Sequence, residues 1–267
     1  MLTAAKNYLR FIKMSVIKNM KAAIEYRKSF IIQTLFMFIN NFFFLIFWNI
    51  VFDVSGDNIK GITMNDILYL WSIPTMSYGI AFFFFGGAQK LGDYIINGGI
   101  DILLLQPKNV IINALLSSSD FSAFGDLLYG FLIGLFAVQF DMTKFLLLII
   151  LSCVSALFFI CTNVILRVIS VWVGDTSNVE HIYTYTMLIS FCTYPENIYS
   201  GFIKFLMYTV VPAGYIAFIP IKIISAFDFS LLLILIPVSI IYILLTILIC
   251  QKALRKYEST NNVLLRD

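Results

Sequence analysis

Residues 29–52 carry no charged side chain. As an α-helix these 24 residues would extend about 36 Å, more than the ~30 Å hydrocarbon core of a bilayer. A water-soluble surface has no use for such a run, and the rest of the chain is as apolar. Of 267 residues, 60% are hydrophobic and 12% charged, where soluble domains carry about a quarter charged residues. The chain is therefore expected to be an integral membrane protein. Alternating ten-residue segments of the barrel type are absent, so the expected fold is all-α.

The charge-free run is the first of six expected transmembrane helices. The others lie at 67–86, 111–140, 145–173, from Glu180 and His181 to the Tyr194-Pro195-Glu196 turn, and 229–251. Residues 1–28 form an expected amphipathic interface helix. Ala5, Tyr8, Leu9, Ile12, Val16, Met20 and Ala23 gather on one arc, and Lys6, Arg10, Lys13, Lys18, Lys21 and Lys28 on another. A basic arc opposite an apolar one suits an anionic membrane surface, and equally a plain topological anchor. Residues 197–226 are broken by Gly201, Lys204, Pro212, Gly214, Pro220 and Lys222, which fits short re-entrant helices better than a span. The organisation expected is an interface helix at 1–28, a membrane domain at 29–251 and a polar tail at 252–267.

Fourteen of the 18 Lys and Arg fall at one end of this layout. By the positive-inside rule both termini and the 87–109 loop are expected to be cytosolic. The first 28 residues are too basic and interrupted to supply the apolar core of a signal peptide. Cys153, Cys161, Cys192 and Cys250 sit in apolar stretches without CxxC spacing and read as small core residues.

Charged residues inside the spans need partners, because each costs about 2.5–3.5 kcal/mol to insert at a helix centre. Asp120 would lie some 12 Å deep in the third span, and Arg167 about 10 Å deep in the fourth, so the two are expected to pair. Ser119, Ser122 and Asp126 follow i, i+3, i+7 spacing and would share one helix face. Such a stripe serves either a translocation path or helix–helix hydrogen bonding.

Catalytic signatures are missing. HExxH, GxSxG and P-loop motifs do not occur, and His181 is the single histidine. The chain is not expected to be an enzyme, and energy from a nucleotide would have to enter through another polypeptide. No nucleic-acid partner is expected. The longest polar interruption, 87–109, contains Asn97-Gly-Gly-Ile-Asp-Ile-Leu-Leu-Leu-Gln-Pro107, and five glycines fall in the 14 residues from Gly86 to Gly99. Its glycines allow tight turns, and Pro107 should stop a short helical turn at 100–105.

Three stretches carry a resemblance to the type-2 ABC export permeases, in particular the bacterial branch of about 260 residues with a separate ATPase subunit. They are Gly99-Ile-Asp-Ile-Leu-Leu-Leu-Gln-Pro107, Asp120-Phe-Ser-Ala-Phe-Gly-Asp-Leu-Leu-Tyr-Gly130, and Tyr194-Pro-Glu-Asn-Ile-Tyr199 followed by Val211-Pro and Ile219-Pro. Gln106 stands where many members have a basic residue. The resemblance implies half of an exporter's membrane pore in the bacterial cytoplasmic membrane. Its partners would be an ABC ATPase dimer, which carries ATP and Mg, a second permease chain and the lipid bilayer. It also implies that Gly98, Gly99, Ile100, Asp101, Leu103, Leu104, Gln106 and Pro107 form the coupling helix. Ile100, Leu103 and Leu104 would be its apolar knobs and Asp101 its charged contact, while Tyr194, Pro195 and Glu196 would form the outer turn. A membrane immunity or resistance protein that acts by binding, without transport, is the competing reading.

Overall fold

The computed structural model describes residues 2–56 and 61–258. Residues 259–267 of the expected tail lie outside the described residues, as do the side chains of residues 1–6 and Leu9 on the expected interface helix. Of the described residues, 84% are helical. Helix α1 (Leu2–Glu25) is followed by α2 (Arg27–Ser55), α3 (Met64–Phe85), α4 (Gly87–Ile96), α5 (Gly99–Leu104), α6 (Val110–Leu115), α7 (Ala123–Ala137) and α8 (Met142–Val168). After α9 (Ser170–Val173), residues 177–193 are helical throughout, as α10 (Ser177–His181), a π-helical stretch and α11 (Ser190–Thr193). The chain closes with α12 (Gly201–Thr209), α13 (Ile219–Ala226) and α14 (Leu232–Lys256).

Local chemistry sets several boundaries. Thr63 and Asp66 form a reciprocal capping box that starts α3. Asn109 caps α6, and Asp141 caps α8 by accepting from the Thr143 and Lys144 amides. Between α7 and α8 the chain reverses tightly, with Gln139 at φ 53° and Phe140 at φ 61°.

Helix α3 is the axis of the bundle. Of its apolar stretch 78% is buried, against 6% for α2 and 11% for α14. It packs mainly against α7 and α8. A Cβ added at Gly79 would stand 2.4 Å from the Leu127 amide nitrogen, and one at Gly130 would stand 2.5 Å from that of Met76. The α3–α7 contact is thus backbone against backbone, the small-residue packing by which membrane helices associate without a hydrophobic driving force.

Four helices among the described residues are long and apolar enough to cross a membrane: Arg27–Ser55, Met64–Phe85, Met142–Val173 and Phe229–Lys256. Gly201–Thr209 and Gly214–Ala226, bent by 77° at their junction, make five if counted as one span. The expected third span, 111–140, is not one helix. It is α6, a non-helical stretch at 117–122 and the 15-residue α7. The cause is Asp120, whose Oδ1 accepts from both the amide and the hydroxyl of Ser122, at 2.9 and 2.6 Å. Its own amide donates to the Phe82 carbonyl at 3.0 Å. Short polar side chains that bond their own backbone compete with helical geometry, and residues 117–122 are each half-buried against the bundle.

Candidate functional site

At one end of the bundle lies the connector of α4, α5 and α6. Gly98 takes φ +72°, a conformation that L side chains adopt at a cost, and this turns the chain into α5. Ile100 is 1% exposed and belongs to the core, and Leu103 packs partly against it. The outward residues are Ile102, Leu104 and Leu105, with Leu105 87% exposed. Of the three apolar knobs expected from the resemblance, only Leu104 is exposed. A six-residue helix has one inner face, and Ile100 and Leu103, three apart, share it. Gln106 accepts from the Asn113 amide at 2.6 Å, closing the loop after Leu105. Pro107 follows α5 and Asp101 lies in its first turn. Helix α1 lies against the same connector. The Asn109 amide donates to the Tyr8 hydroxyl at 3.2 Å, Asn19 donates to the Leu116 carbonyl at 3.3 Å, and the Lys108 ammonium sits 3.3 Å over the Phe11 ring.

Deeper, a cavity of about 240 Å³ opens between α2, α3, α7, α8 and the 177–193 helix. Its walls include Asn41, Trp71, Thr75, Tyr78, Asp126 and Tyr185. Asp126 is 3% exposed and accepts from the Asn41 amide at 2.6 Å, while its Oδ2 has no partner. The Asn41 carbonyl in turn accepts from Trp71 Nε1 at 3.2 Å, so Asn41 joins α2, α3 and α7. The Tyr78 and Tyr185 hydroxyls lie 2.8 Å apart. Ser119 and Ser122 do not share a helix face with Asp126, because they stand in the non-helical break before α7.

Arg167 does not pair with Asp120. Its Nη2 lies 3.2 Å from Glu180 Oε2, and both side chains are buried. The Asn163 amide donates to the other Glu180 oxygen at 2.5 Å. The two lie at matching expected depths, but the break at 117–122 turns Asp120 onto its own chain.

At the opposite end, the helix 177–193 stops at Tyr194 and Pro195, both in extended geometry. Glu196, 9% exposed, receives Lys204 at 2.9 Å, Lys222 at 2.5 Å and the Tyr208 hydroxyl at 2.9 Å. Burial works to raise the Glu196 carboxyl, but the hydrogen bonds from Lys222, Lys204 and Tyr208 outweigh it and hold it below the ordinary carboxylate value. A cavity of about 190 Å³ beside it is lined by Gly61, Asp66, Pro195 and Lys222.

Sequence reasoning missed Asn41, Glu180 and the two lysines around Glu196. Asn40-Asn41 was visible as a polar pair within an otherwise apolar span, and Glu180 as the acid opening the next one. No grouping of three or more His, Cys, Asp or Glu that could hold a metal ion occurs among the described residues.

A helical bundle with rows of exposed apolar side chains and four helices long and apolar enough to cross a membrane defines an integral membrane protein. A family model described as ABC-2 family transporter protein matches residues 35–261. The chain belongs to that family, whose members are permease subunits of ABC transporters. Comparison with curated proteins and with solved structures returned no match.

Proposed function

We propose that this chain forms half of the membrane pore of an ATP-driven exporter, coupled to a separate ATPase through the connector between α3 and α7. On this reading α6 and α7 together make a broken third span, the 177–193 helix a fifth, and 201–226 a re-entrant pair on the outer side. Both termini are cytosolic, and the membrane is the bacterial cytoplasmic one. ATP and Mg stay on the ATPase dimer, and a second permease chain, identical or homologous, completes the pore.

The observation that carries the reading is α5, a single short helix with Ile102, Leu104 and the following cap residue Leu105 exposed. It is braced on its inner side by Ile100 and, beyond Pro107, by the contacts of Lys108 and Asn109 with α1. Exposed apolar anchors on a braced element suit a groove in a soluble partner. A push on α5 would pass as a rigid-body motion through α4, which packs on α8, to the cavity helices. Binding and hydrolysis on the ATPase would bias two arrangements of the bundle, which is alternating access.

Affinity purification of the full chain from its native membranes in mild detergent tests this. An ABC ATPase should accompany the wild type with MgATP hydrolysis, and Leu105→Asp should release it. Wild-type chain that consistently comes without an ATPase would defeat the reading in favour of action by binding alone.

A further inference from the structure

We propose that the cavity around Asp126 is a binding site for an organic cation, an ammonium or comparable group carried on a small apolar body, with the Asp126 carboxylate as its counter-charge. The inference deepens the transport reading and rests on it, since it names the chemistry of what the path accepts.

Asp126 is the single charged side chain lining this cavity. One of its oxygens takes the Asn41 amide; the other is buried and unpartnered. A carboxylate removed from water is costly unless a cation or several donors compensate it. The three ion pairs among the described residues leave Asp126 out. A neutral amide at 2.6 Å orients the carboxylate without balancing its charge. That unmet demand lies in the wall of the cavity, which Asp126 helps to line.

The walls match a cation of low charge density. Trp71, Tyr78, Phe159 and Tyr185 border the space, and aromatic faces attract ammonium groups most strongly where water is excluded. About 240 Å³ admits a substituted ammonium with one ring or a short alkyl body. Asn40 on α2 and Tyr185 on the 177–193 helix, both exposed, stand at the rim of the space. A metal ion fits poorly, because calcium or zinc sites gather several oxygen, imidazole or thiolate ligands, and a single carboxylate faces the cavity. An anion is opposed by the sign of Asp126.

The test uses the full chain purified in neutral detergent and two probes of equal shape: benzyltrimethylammonium and its uncharged isostere, neopentylbenzene. Thermal stabilisation reports binding. The cation should bind the wild type about tenfold or more tightly than the isostere, and Asp126→Asn should remove that preference. Equal affinity for both probes in the wild type overturns the proposal, as does undiminished cation binding by Asp126→Asn. If Asp126→Asn does not fold, Tyr185→Leu at the rim replaces it. It should weaken the cation several-fold and the isostere little, and an equal loss for both again overturns the idea. Cation preference in a chain that never associates with an ATPase upholds the site and removes the transport reading. ATPase-coupled chain without cation preference does the reverse.

Discussion

Arg167 reaches across from α8 to Glu180 in α10, with 3.2 Å between Nη2 and Oε2, and Asn163 holds the second carboxylate oxygen. This pair joins the end of the fourth apolar stretch to the start of the next helix. Both partners are buried, so each depends on the other to offset its desolvation. Glu180→Ala should destabilise the chain by about 3–5 kcal/mol, because it strands a buried guanidinium. The double substitution Arg167→Leu with Glu180→Leu should recover most of that loss. Thermal unfolding in detergent of the wild type, Arg167→Leu, Glu180→Leu and the double variant gives the coupling directly; additive losses would show that the pair is not a unit.

The inner and outer faces of α5 should respond differently. Ile100 is in the core, and truncating a buried isoleucine costs about 2–5 kcal/mol. Ile100→Ala should therefore lower the melting temperature of the isolated chain. Leu105→Asp, at an exposed position, should leave melting within error and act only on partner association. Equal melting losses in the two variants would mean that the faces are assigned wrongly.

Gly130 allows α7 to meet the backbone of α3, and a side chain there has nothing soft to displace. Gly130→Val should cost about 1–3 kcal/mol or more through overpacking, since its Cβ would stand 2.5 Å from the Met76 nitrogen. Gly134→Ala is the control. Its Cβ would meet the ends of the Leu148 side chain at 3.2 Å, which can yield. Comparable melting losses for the two would argue against a backbone-to-backbone contact.

Glu196 makes stability depend on pH at the acidic end. Its carboxyl is held below its ordinary value of 4.5 in the folded chain. A depressed folded pKa contributes stability that is fully present above the unfolded value and lost as pH falls through the folded value. Melting temperature should therefore decline below about pH 4.5, and Glu196→Gln should flatten that decline while lowering stability at neutral pH. The two lysines are about half exposed, so solvent screening keeps the effect modest. An acid limb as steep in Glu196→Gln as in the wild type would assign it to other carboxylates.

The sequence by itself determined what depends on composition and near neighbours. The charge-free run at 29–52 falls within the peripheral helix α2, the stop at Tyr194-Pro195 ends a helix, and the glycines of the 87–109 loop separate α4 from α5. Each rests on forces that act within a few residues: insertion of apolar side chains, a missing amide, a permitted left-handed turn. Tertiary structure alone decided the partner of Arg167, the burial of Ile100 and the Asn41 contact of Asp126. Depth along a helix says how far a charge lies from the membrane surface, but not which neighbour it faces. That depends on helix rotation and on where the backbones meet, as α3 and α7 do at Gly79 and Gly130.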